Sequence, residues 1–166
     1  MRNLSVAIAA ALMGLALYFA VTWGFAAVQA LTSSAYGLDD IWHSQFLFTL
    51  GHMFGLTPVG LLKLAAFVAA VKLVAAGICG VHVVDRARGV ARLELFEGAL
   101  FLIAAIALLS LAPALWSHGG DIAGEQVLQL GFAVFALALC MTERMRDRRP
   151  DEETTTPMES AYPMPN

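Results

Sequence analysis

The stretch that decides the fold runs from Pro58 to Val84 and reads PVGLLKLAAFVAAVKLVAAGICGVHVV. At 1.5 Å per residue a helix of this length covers about 40 Å, enough to cross a hydrocarbon core of about 30 Å with some tilt. Thr57-Pro58 predicts a helix start, with Thr as N-cap and Pro at the first helical position, where no N–H is needed. Asp85-Arg86 predicts its end. Inside the apolar run stand two cations. Lys63 lies about 7 Å from its end of the helix and can snorkel to the interface. Lys72 sits near the midplane, where a cation costs about 2.5–3.5 kcal/mol, so it should face protein or water and not lipid. The two lysines point to opposite faces and cannot share one partner.

Composition gives the same solvent. Of 166 residues, 59% are hydrophobic and only 14% charged, with a mean hydropathy of +0.72. A soluble domain carries about 25% charged residues, so this chain is short of charge in the manner of a lipid-embedded protein. There is no basic stripe and no nucleic-acid module, which excludes DNA or RNA as an expected partner. Cys79 and Cys140 form no CxxC or zinc spacing and read as small packing residues.

Working outward, four runs have the length of membrane spans: about 4–31, 58–84, 93–116 and 122–141. The first, LSVAIAAALMGLALYFAVTWGFAAVQAL, ends near Val28-Gln29-Ala30, which resembles a signal cleavage site. Its apolar core exceeds the 7–15 residues of a signal h-region, so a retained span is expected. Between spans one and two, Trp42, Phe46, Leu50, Met53 and Phe54 recur on one helical face. This predicts a short amphipathic helix over about 40–54, lying in the outer interface. A re-entrant element packed on the bundle is the alternative. The fold expected is therefore all-α, a four-helix transmembrane bundle with one interfacial helix, forming a single membrane domain over 1–149. The segment beginning ERMRDRRPDEE at Glu143 reads as the start of a tail, disordered and cytoplasmic over 150–166.

Lys and Arg occur at the N-terminus, in the 85–92 turn and at 144–149, and are absent from the 32–45 and 117–121 loops. The positive-inside rule places both termini in the cytoplasm of a bacterial-type inner membrane. Ala10/Gly14, Ala65/Ala69, Ala66/Ala70 and Ala76/Gly80 are small-xxx-small pairs that allow close helix approach.

The candidate site residues are the intramembrane polar ones. Lys72 is expected to hydrogen-bond Tyr18, Thr22 or Gln129, because Glu97 leans toward the cytoplasm while Lys72 leans outward. Glu97 itself reads as a helix-terminal charge complementing the dipole of its span. His43, His52, His118 and Asp121, with Asp39 and Asp40, share the outer side. They are weak metal candidates that lack any ligand spacing. His82 stands alone at the inner end, which does not make a haem site. No catalytic set, P-loop or GxSxG occurs, no cofactor is expected, and no motif ties the chain to a known family. The expected role is a non-catalytic accessory or assembly subunit, working in the bilayer as a homo-oligomer or within a larger complex. The alternative is a small channel or transporter using Lys72.

Overall fold

The computed structural model describes residues 2–39, 41–90, 92–117 and 123–147. They form five helices: α1 (Arg2–Thr32), α2 (Ile41–Met53), α3 (Pro58–Ala87), α4 (Leu93–Ser117) and α5 (Ala123–Asp147). Among the described residues there is no strand. Four helices are long and apolar enough to span a membrane, with spans Ser5–Thr32, Pro58–Ala87, Leu93–Leu111 and Gly124–Arg146. The chain is a multi-pass membrane protein of all-α architecture, with a short helix between spans one and two. His118, Asp40, Asp121 and the tail 150–166 lie outside the described residues.

The helix ends follow local rules. Thr57 is the N-cap of α3, and its Oγ1 accepts from the Gly60 N–H at 3.3 Å, with Pro58 at the first position as expected. α3 continues one turn past Val84 and closes in a Schellman motif. Gly89 takes the left-handed conformation at φ +78°, the Val90 N–H donates to the Asp85 carbonyl (2.9 Å), and the Gly89 N–H donates to the Arg86 carbonyl (3.0 Å). The same motif ends α2. Gly55 has φ +59°, and the Leu56 N–H donates to the Gly51 carbonyl at 2.8 Å. α5 differs from expectation: it runs six residues beyond 141, so Glu143, Arg144 and Arg146 are helical and not part of a tail.

The four long helices form a ring in the order α1, α3, α4, α5, with α1 also touching α5. One end of the ring collects the start of α1, the end of α3, the start of α4 and the end of α5. This is the basic end, with Arg86, Arg88, Arg92, Arg144 and Arg146. α2 lies at the other end against α3 and α4. Phe46 and Leu47 of α2 are buried with Ala65, and Leu50 packs beside them. Met53 and Phe54 point outward, so the single apolar face expected for α2 is split between the bundle and the surroundings. α2 thus packs against the ends of α3 and α4.

The centre is built from small residues and a few large ones. Leu12, Ala16, Phe19, Ala75, Cys79, Phe96, Leu100, Ile103, Ala133, Ala136 and Cys140 are wholly enclosed. Both cysteines are free thiols within this core. The outer surface is apolar as well, with Leu17, Val21, Phe25, Phe67, Phe101 and Leu108 all exposed. A helix hydrophobic on every side suits lipid, and water would not tolerate such a surface. α1 and α3 pack most intimately, and a Cβ added at Gly24 would meet the Ala76 Cβ at 3.7 Å. Of the expected small-residue pairs, Ala65/Ala69 faces inward, whereas Ala10/Gly14 faces outward.

Gly24→Leu is therefore expected to destabilise the bundle by about 1–3 kcal/mol through overpacking against Ala76. Gly14→Leu, on an open face, should leave stability unchanged. Unfolding in dodecyl sulfate followed by tryptophan fluorescence distinguishes the two.

Candidate functional site

Two polar clusters interrupt the apolar bundle. The first lies toward the α2 end. Lys72 is half-buried, with its Nζ 5.9 Å from the centroid of the Trp23 ring. That geometry suits a cation–π contact in a desolvated setting. Lys72 also lines a cavity of about 40 Å³ with Phe46, Leu47, Val68, Ile106, Ser110 and Gln126. The buried Gln126 Oε1 has no hydrogen-bond partner there.

The Trp23 Nε1–H donates to the Gln129 Oε1 at 3.2 Å, and the Gln129 Nε2 donates to the Glu125 Oε1 at 3.0 Å. The Thr22 hydroxyl donates back to the Tyr18 carbonyl. Tyr18 packs edge-on against Phe19 and Phe132, with ring centroids 5.3 and 5.2 Å away. Of the residues expected to bond Lys72, Gln129 accepts from Trp23, whose ring lies 5.9 Å from the Lys72 Nζ. Lys63 is exposed one turn and a half into α3.

The second cluster closes the basic end. Arg86 of α3 is ion-paired and hydrogen-bonded to Glu143 of α5, both largely shielded from solvent. These helices are not ring neighbours, so the pair reaches across the diagonal. The Arg144 Nη1 donates to the Glu97 Oε2 at 3.3 Å, and Glu94 lies 3.8 Å from the Arg144 Nη2. Glu97 is thus engaged at the basic end and far from Lys72. Its second oxygen, Oε1, is buried without a partner, as is the Glu143 Oε2. Cys140 lies within the electrostatic field of Glu97, Glu143 and Arg86.

His82, buried at 3% exposure, stacks flat on Phe96 with centroids 4.1 Å apart and planes 9° from parallel. Neither ring nitrogen makes a hydrogen bond, although the Arg92 main chain lies near. Sequence reasoning left out Arg86, Glu143 and Arg144, because it ended α5 too early. The signal that finds them is the Glu143-Arg144 step one turn past Cys140, set against Glu94 and Glu97, one and four positions past the first residue of a facing helix.

His52 is exposed at the end of α2, and the His43 side chain is not among those described. Among the described residues no three His, Cys, Asp or Glu side chains come together as a metal site would need. No protein-family model, curated protein sequence or solved structure matches the chain.

The ion pairs make unequal predictions. Removing one partner of a shielded pair leaves the other charge buried. Glu143→Ala should lower stability by about 3 kcal/mol, whereas Glu94→Ala, at an exposed carboxylate, should have no measurable effect. Trp23→Phe removes the bond to Gln129 and weakens the face presented to Lys72, for a loss of about 1 kcal/mol. Detergent unfolding curves for the three variants check the order.

Proposed function

We propose that the chain is a non-catalytic accessory or assembly subunit of a complex in a bacterial-type inner membrane, with both termini in the cytoplasm. The observation that carries this reading is the closed layer between the two polar clusters. Along α4, Glu97 and Ser110 are separated by about 20 Å of helix, and the level between them is filled by Phe19, Cys79, Leu100, Ile103, Ala133 and Ala136. All of these are fully buried. A pathway for ions or solutes would need polar groups or water across that level, and the clusters are instead isolated from each other. The polar groups act as fasteners: Arg86–Glu143 and Arg144–Glu97 lock the basic end, and Trp23–Gln129 ties α1 to α5.

The orientation rests on positive charge. Every described arginine beyond α1 lies at the basic end, which the positive-inside rule assigns to the cytoplasm.

At near-native expression the protein is expected to migrate on native gels in an assembly larger than its own 17.7 kDa. Migration as a lone monomer overturns the proposal. So does a solute flux in proteoliposomes that Lys72→Met abolishes, since that is the behaviour of a channel or transporter. Reporter fusions at each terminus should both read cytoplasmic.

A further inference from the structure

A groove runs down the outside of the bundle between α3 and α4. Val74, Gly77, Val81 and Leu95 form its walls, and His82, Asp85 and Arg92 stand together at its basic end. The walls are lipid-facing: Val74, Val81 and Leu95 are each more than half exposed. From Val74 to Asp85 the groove follows eleven residues of α3, about 16 Å, which is the depth of one leaflet of a core about 30 Å thick.

Its volume is about 300 Å³. At Gly77 an added Cβ would meet nothing within 4 Å.

The polar end supplies the second observation. His82 is 3% exposed, held flat against Phe96, and both its ring nitrogens lack a hydrogen-bond partner. A neutral imidazole carries one donor and one acceptor, and buried donors are nearly always satisfied. His82 lies about 7 Å inside the end of α3. Arg92 is a guanidinium matched to a phosphate. Asp85 is a carboxylate, which repels a purely anionic headgroup and attracts a hydrogen-bonding ammonium.

We propose that this groove is a binding site for one zwitterionic aminophospholipid, a lipid whose headgroup joins a phosphate to a primary ammonium. One acyl chain lies along Gly77, the phosphate and ester oxygens meet Arg92 and His82, and the ammonium meets Asp85. A choline headgroup has no N–H to give Asp85. A glycerol headgroup brings only negative charge to it.

The test uses the full-length protein in nanodiscs of phosphatidylethanolamine, phosphatidylglycerol and phosphatidylcholine in equal parts, with retained lipids counted by native mass spectrometry on release. One phosphatidylethanolamine is expected per chain, enriched about tenfold over each of the others, the ratio that one charge-assisted hydrogen bond supplies. Gly77→Leu, whose Cβ enters open space, should abolish retention while leaving the detergent unfolding curve unchanged. Asp85→Asn should erase the preference over phosphatidylglycerol, and Arg92→Gln should lower retention of both. Equal retention of all three lipids by the wild type overturns the site, as does retention unaffected by Gly77→Leu. A dimer that survives Gly77→Leu and carries no lipid would assign this surface to a second copy of the chain and overturn the proposal equally.

Discussion

Hydrocarbon offers no partner to a charge or a peptide group, and that constraint arranges every polar feature of this bundle. The backbone is satisfied within five helices, and the breaks between α2 and α3 and between α3 and α4 are closed by glycine in the left-handed conformation, which returns the last carbonyls to main-chain donors. Hydroxyls inside the spans bond back to the preceding turn, as Thr22, Ser110 and Thr142 do. At the basic end Arg86 pairs with Glu143 and Arg144 with Glu97. Nearer the middle of α3, Lys72 lies against the Trp23 indole, whose ring quadrupole meets its charge.

The ring arrangement follows from residue size. α1 and α3 approach through Gly24, Ala76 and the buried alanines on each side, so they can lie close without interdigitating large side chains. Phe19, Phe96 and Ile103 then fill the middle of the ring, where four helices would otherwise leave a gap. That filling is also what separates the polar groups at Lys72 from those at Glu97. The same large residues thus fill the level between the two clusters.

Much of the fold was legible in the sequence because lipid imposes simple periodic demands. The four spans, the Thr57-Pro58 start of α3 and the short helix between the first two spans follow from run length, turn residues and an apolar stripe. Three features were not legible, each for a local reason. α5 continues to Asp147 because its charged last turn is secured by Arg86, Glu94 and Glu97, partners on other helices that run length does not reveal. The faces of α2 are split because the helix has two apolar neighbourhoods, the bundle and its surroundings, and a stripe alone does not say which is which. The company of Lys72 depends on the ring order, which brings Trp23 beneath it. Depth along single helices placed Tyr18, Thr22 and Gln129 nearby but carried no information on rotation.

The diagonal pair at the basic end also has a meaning in time. Arg86 and Glu143 are 57 residues apart in sequence, and they belong to helices that leave the ribosome with a complete hairpin turn of the chain between them. Until the last helix is made, Arg86 has no carboxylate from α5 and stays at the headgroup level at the end of its span. Its capture by Glu143 comes only when the fourth span has entered the bilayer and the ring can close. A chain that stops before that point keeps an unlatched end with an unmatched arginine. The pair thus forms only in a chain that carries the fourth span.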